Sequence, residues 1–332
     1  MKTCAITIQP LSPFGTPLKG DTLFGQFCWQ CASDPALLNQ SFDVTIAAYG
    51  EKPFALFSSA FPVLPDGSYA LKRPEAPLEM LHDLTGMSRD ELLDNRKRLK
   101  GKKWLLCRHP DLLKDLRTCE YHDNNGISKI FGLDYDRELL AEVEISHNSI
   151  NRLTGTTGEG FAPFTCDSLV YAPECRLVIF AAFDENVLSV ENLKTGLQRI
   201  GSFGYGRDAT TGLGRFALVD CTTVDLAALG AHDANALYTL APSVPETGRY
   251  RDAMFTPFTR FGRHGDCLAV SGKPYKNPVI MVDEGALLFP NNMAEALNRP
   301  YLGTGIIGIS KIQENTVHQG YALYIPVRLE AQ

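Results

Sequence analysis

The stretch Gly201-Ser-Phe-Gly204-Tyr-Gly206-Arg-Asp-Ala-Thr-Thr-Gly212-Leu-Gly214-Arg-Phe216 constrains this chain more than any other. Two Gly-X-Gly doublets bracket a polar tip running from Arg207 to Thr211. Upstream, Leu193, Leu197 and Ile200 recur at helical spacing; downstream, Arg215 to Val219 reads as a strand. Glycine reaches positive φ without strain and lacks the Cβ that holds a second backbone away. The segment therefore reads as a tight helix-to-strand reversal. Loops of this kind turn several N–H groups toward one concave side, which suits an anion.

Two familiar phosphate-binding patterns do not fit. A Walker-type loop needs Gly-x4-Gly-Lys-Ser/Thr between a strand and a helix, whereas Leu213 and Gly214 follow Gly212 and the order is helix, loop, strand. A dinucleotide fingerprint laid on Gly212 to Ala217 lacks the helix that must follow it. A glycine-rich turn made only for tightness stays open. So does a loop whose rim, carrying Arg207, Thr210, Thr211 and Arg215, meets a phosphodiester backbone.

Two more segments share this polar, glycine-bearing character. One is Ser12-Pro-Phe-Gly-Thr-Pro-Leu-Lys19-Gly20-Asp21-Thr22, leading into Leu23, Phe24, Phe27 and Trp29; the other is Ser146-His147-Asn148-Ser-Ile-Asn-Arg152-Leu-Thr154-Gly155-Thr-Thr157-Gly-Glu159-Gly160. Asp21 or Thr22 reads as the N-cap of a helix, and Lys19 beside that helix start forms an anion site or simply faces solvent. His147 and Asn148 suit a base edge or ribose, and Arg152 a phosphate. Phe161 and Phe164 suit an unstacked base or plain hairpin packing.

Taken in this order, the three segments resemble the RAMP proteins of CRISPR systems, in the subunit-four branch of the type III-A (Csm) interference complex. The landmarks run from residue 3 to about residue 328. The resemblance implies a non-catalytic subunit in antiviral defence that caps the 5′ handle of the guide RNA (crRNA). It implies docking to the large polymerase-like subunit (of the Cas10 type) and to the backbone RAMP subunit, with target RNA met only indirectly. RNA contacts are expected at Lys19, Gly20, Thr22, His147, Asn148, Arg152, Thr154, Gly155, Thr157, Gly204, Gly206, Arg207, Thr210, Thr211, Gly212 and Arg215. No catalytic residue, metal or cofactor is assigned. The competing expectation is a metal-independent endoribonuclease with His147 as general base and Lys19 or Tyr205 nearby.

Composition sets the remaining bounds. The 332 residues allow two domains, and 44% hydrophobic with 21% charged residues is an ordinary globular mixture. A net charge of −6 argues against a free-standing, nonspecific nucleic-acid binder and fits a subunit that meets RNA with one face. No apolar run reaches membrane-spanning length, and Met1 to Ala5 passes at once into strand-like alternation, so neither a span nor a signal peptide is expected. Nine scattered cysteines fit reduced thiols in a cytoplasm. Cys28 and Cys31 fall inside a helix with no matching second pair, and His82, His109 and His122 lack ligand spacing. Asp21, Glu159 and Asp208 form no compact ligand pattern.

The expected fold is α+β: a ferredoxin-like (RRM-like) RAMP domain over 1–224 with a β-hairpin, and a smaller, β-rich, ferredoxin-like domain over 225–332. The first domain carries a long insertion, about 66–142, and the glycine-rich loop 201–215. Phe54–Phe57 and Ala60–Leu64 read as strands around a turn, 225–246 as a linker, and Ala253–Phe258 as one strand. Ser88 with Glu91 reads as a capping box. The basic run from Arg96 to Lys103 is either a solvated face or a docking surface.

Overall fold

The computed structural model describes all residues except 85–86, 109–111, 135, 159 and 330–332, and does not describe the side chains of 92, 266 and 267. His109 and Glu159 thus lie outside the described residues. The chain is α+β, and its sheets are antiparallel throughout the described pairings.

The most apolar run in the chain, LVIFAAF after Arg176, becomes a strand at the heart of a seven-stranded sheet. Strands in this sheet are β1 (Lys2–Pro10), β2 (Ala55–Val63), β3 (Tyr69–Lys72), β4 (Trp104–Cys107), β5 (Tyr121–His122), β8 (Arg176–Phe183) and β9 (Phe216–Thr223), in the order β5-β4-β3-β2-β8-β1-β9. Strands β6 (Leu140–His147) and β7 (Phe164–Tyr171) form a separate two-stranded hairpin. Helices α1 (Gly20–Ser33) and α3 (Val190–Phe203) pack against each other and the sheet. Their apolar stripes, Leu23, Phe24, Phe27 and Cys31 on one and Leu193, Leu197 and Ile200 on the other, are buried. Ser189 caps α3 by accepting from the Asn192 N–H at 3.1 Å.

Several expectations are revised by tertiary contacts. The N-cap of α1 is Lys19, ahead of Asp21 and Thr22 in the chain. The two strands placed around residues 58 and 59 are one bulged strand, β2. The bulge leaves backbone groups without strand partners, and Gln319, fully buried, takes them: it accepts from Phe57 N–H at 3.0 Å and donates to Phe57 C=O at 2.8 Å. The region 66–142 extends the sheet edge with β3, β4 and β5 and carries α2 (Arg89–Gly101), which opens on the Ser88–Glu91 capping box.

The C-terminal third builds a five-stranded sheet, β11 (Tyr250–Met254), β14 (Leu287–Pro290), β10 (Ala236–Thr239), β16 (Tyr321–Val327) and β15 (Tyr301–Gly303) in that order. The expected linker therefore contains β10, the middle strand of this sheet. The expected strand 253–258 is split between β11 and β12 (Pro257–Arg260), and β12 pairs instead with β13 (Val279–Val282). One apolar cluster crosses residue 225, joining Ile6, Phe57 and Phe180 to Tyr238, Leu323 and Ile325.

Candidate nucleic-acid interface

The glycine-rich loop folds around a second loop, residues 11–19. Gly206 (φ 77°) lies so close to Thr16 that a Cβ would sit 2.7 Å from it. Gly214 (φ 73°) leaves room for the Tyr205 carbonyl, which a Cβ would meet at 2.0 Å. The two chains are stitched by Gly214 N–H to Pro13 C=O (2.7 Å), Arg207 N–H to Thr16 Oγ1 (3.0 Å) and Arg215 N–H to Ser12 Oγ (2.9 Å). Tyr205 is the pin. It is fully buried, its hydroxyl donates to Pro17 C=O at 3.0 Å, and that same oxygen accepts from Lys19 N–H at 3.1 Å. Burial pushes the phenol above its ordinary range.

The hairpin base joins the same assembly. Phe14 and Leu169 exchange backbone hydrogen bonds at 2.8 and 2.9 Å, and the Phe14 ring meets Tyr171 edge-on at 5.7 Å. Arg207 donates from Nη2 to Asp167 C=O at 2.5 Å, and its Nε lies 3.3 Å from Asp208 Oδ2. Two of the three sequence segments thus meet the base of the hairpin on one rim, and that hairpin carries the third segment at its other end. On the rim, Arg207, Thr210, Thr211 and Arg215 are exposed, and Gly206 and Gly212 are partly exposed, whereas Gly204 is buried. Asp208, at φ 60°, is the one non-glycine residue with positive φ among the described residues. The N–H groups of Asp208, Ala209 and Thr210 meet no acceptor among the described residues, which leaves them open to an external acceptor.

The hairpin itself projects from this base. Asn148, Arg152, Thr154, Gly155 and Thr157 are exposed at its far end. A turn closes it, with Asn151 N–H to Thr156 C=O at 3.0 Å and Gly155 at φ 67°. His147 stacks on Phe164 across the strands, ring centroids 5.3 Å apart and 15° from parallel. Leu153 at the tip is 96% exposed, a feature the sequence reading did not single out.

Lys19 is paired within the protein. Its ammonium sits 2.5 Å from Asp283 Oδ1 and 2.7 Å from Glu284 Oε2, and 4.6 Å above the Phe258 ring. Lys72 completes the group at 3.1 Å from Asp283 Oδ2. Burial acts against the Asp283 carboxylate, but a hydrogen bond from Glu284, with Lys19 and Lys72, outweighs it and holds that carboxyl down at about 2, while burial pushes Glu284 up. Gly20 is packed against the β2 backbone, where a Cβ would lie 2.0 Å from Phe57 C=O, and Thr22 is half-buried. The start of α1 is filled by the protein's own groups.

Asp21 does not cap the helix; it is the buried partner of Arg260 and His318. Cys28 and Cys31 lie along α1, and burial raises both thiols. Among the described residues no group of three or more His, Cys, Asp or Glu is arranged to hold a metal ion, and no helix is long and apolar enough to cross a membrane.

No family model and no curated protein matches the sequence. Solved structures match in shape. The chain is similar to one in a crystal structure of a Csm1–Csm4 cassette in complex with pppApA, at 16% identity and a TM-score of 0.57, with full coverage of both chains. A cassette in complex with cA4 gives 15% identity and a TM-score of 0.58, again at full coverage. The Csm3–Csm4 subcomplex of the type III-A CRISPR-Cas interference complex gives 12% identity and a TM-score of 0.57, over 99% of this chain and 100% of that one. Csm4 is the component common to these assemblies.

The chain has the Csm4 fold. In this Csm4-like frame, the sequence alone did not single out Ser12, Phe14 and Thr16, which hold the rim together, or Arg260, Asp283 and His318, which hold the start of α1. The aromatic inside Gly204-Tyr205-Gly206 was a signal for the pin, because bare flexibility needs no large ring between two glycines. Nothing local marked the pairing of Asp283 or His318: the lysines on Asp283 lie 211 and 264 residues away, and the carboxylate beside His318 is Asp21.

Proposed function

We propose that this chain is a non-catalytic guide-RNA subunit of a type III CRISPR effector complex, capping the 5′ handle of the guide. The observation that carries the proposal is the convergence of loop 11–19, the hairpin base and the glycine-rich loop on one rim bearing Arg207, Thr210, Thr211 and Arg215. Two cations, two hydroxyls and N–H groups without an internal acceptor suit successive phosphates of a single strand. The Csm4 fold supports the same reading.

In this proposal the exposed end of the β6–β7 hairpin, with Asn148, Arg152 and Thr157, reaches along the RNA and kinks or splays it. Lys19 moves from the RNA set to the internal clamp with Asp283 and Glu284. We read β9-β1-β8-β2 with α1 and α3 as the ferredoxin-like RAMP module, and the five-stranded sheet as the second domain. The remaining acidic surface would dock the large polymerase-like subunit and the backbone RAMP subunit in the cytoplasm.

The test is a mobility shift with end-labelled guide RNA, with and without its 5′ handle, in EDTA, on the chain and the co-expressed complex. Handle-dependent binding with intact RNA is the expected result. Scission at one bond, lost in His147→Ala, would replace this proposal with the endoribonuclease.

A further inference from the structure

Beside the glycine-rich loop, a groove of about 460 Å³ runs between the C-terminal half of α3 and strand β9, lined by Leu11, Gln198, Ser202, Phe203, Arg215 and Phe216 among others. Phe203, the last residue of α3, is 75% exposed, although Leu193, Leu197 and Ile200 on the same helix are buried. Leu11, 59% exposed, lines the same groove, so two large apolar side chains stand together in water beside a polar loop.

The groove also offers hydrogen-bonding groups of both signs. At the end of α3, Gly204 N–H returns to Ile200 C=O, and among the described residues nothing donates to the carbonyls of Gly201, Ser202 and Phe203. Arg215 is exposed and, among the described residues, pairs with no carboxylate. The other guanidinium lining the groove, Arg199, is held by Asp34 at 2.8 Å. A helix C-terminus carries partial negative charge, so it repels phosphate and attracts N–H donors. The anion-seeking group, Arg215, instead belongs to the glycine-rich loop.

We propose that this groove holds one splayed base of the guide strand, stacked on Phe203, with Arg215 on the adjoining phosphate. The free carbonyls at the helix end accept from the base edge. An exocyclic amino group (adenine, cytosine or guanine) brings two N–H donors to neighbouring carbonyls, whereas the edge of uracil brings only N3–H, so an amino-bearing base fits better. The inference rests on the guide-RNA reading and adds a subsite to it: a ring face, acceptors and an unpaired cation occur together in the groove, continuous with the rim through Arg215.

The experiment scans 2-aminopurine through the handle of a synthetic guide in the assembled complex, with wild type, Phe203→Ala and Phe261→Ala. Phe261 is 74% exposed outside the groove and serves as control. Expected is a fluorescence change at one position, lost in Phe203→Ala but kept in Phe261→Ala, with handle affinity roughly tenfold or more weaker in Phe203→Ala. Replacing the natural base at that position with uracil should weaken wild type and leave Phe203→Ala nearly unchanged. If handle RNA binds but no position depends on Phe203, the subsite is wrong and the rim proposal stands. If the guide does not bind at all, both fail. Loss of a protein subunit from Phe203→Ala, with the fluorescence pattern unaltered, overturns the subsite in favour of a protein contact.

Discussion

Arg260 grips Asp21 with two parallel hydrogen bonds, Nε to Oδ2 at 2.6 Å and Nη2 to Oδ1 at 3.0 Å, across 239 residues of chain. The Asp21 side chain has no solvent exposure, and His318 Nε2 lies 3.3 Å from the same carboxylate. Burial alone would raise this carboxyl, yet His318 and Arg260 together hold it well below the usual range. The guanidinium also lies 4.7 Å from the Phe258 centroid, so Phe258 is shared between Arg260 and Lys19. This pair fastens the first turn of α1 to β12.

Removing one partner of a buried pair strands the other without solvent. Arg260→Ala should therefore destabilise the fold by about 3–5 kcal/mol, read from denaturant midpoints at pH 7. A change below about 1 kcal/mol would mean that water reaches Asp21 without cost.

Asp283 gives the acid response its sign. Its carboxyl is held at about 2 when folded, against roughly 3.9 when unfolded, so its contribution is complete above pH ~4 and disappears as pH falls toward 2. Stability should fall across that window, and Asp283→Asn should flatten the slope while lowering stability at pH 7; Glu284, pushed up by burial, acts in the opposite sense as pH rises through its folded value. Equal slopes in urea titrations from pH 5 to 2 would contradict the Lys19–Asp283 clamp.

Arg207→Ala and Lys19→Ala should separate RNA contact from scaffold. Loss of one phosphate contact should weaken handle binding in Arg207→Ala and reduce the log–log salt slope by about 0.7. Lys19→Ala should lower the melting temperature but leave that slope near wild type. The opposite assignment would return Lys19 to the RNA surface.

The glycine-rich loop allows a paired comparison. Gly212 (φ 97°) has open space where a Cβ would go, so Gly212→Ala carries backbone strain of about 1–2 kcal/mol. Gly214→Ala adds a clash with Tyr205 C=O at 2.0 Å and should cost distinctly more, with faster amide exchange at Tyr205 and Gly214. Identical melting temperatures for the two variants would argue against the close approach of these chains.

His147→Ala should leave RNA cleavage by the assembled complex chemically intact. A general base contributes ~100-fold or more, so a single-turnover rate within a few-fold of wild type is the expected outcome. A drop of that size with assembly unaffected would make His147 catalytic.

Local pattern alone determined the elements whose residues carry their own periodicity or stereochemistry. The apolar run of β8, the Leu193/Leu197/Ile200 face of α3, the Ser88–Glu91 capping box and the glycine reversal were all legible, because each depends on neighbours within a few residues. Tertiary structure decided what those elements were for. The β2 bulge depends on Gln319, the place of β10 on its partner strands, and the role of Lys19 on two carboxylates 264 and 265 residues away. A lysine beside a helix start looks alike in sequence whether phosphate or Asp283 neutralises it. Only the folded chain brings the competing anion within 2.5 Å, and at that range the buried pair takes the charge.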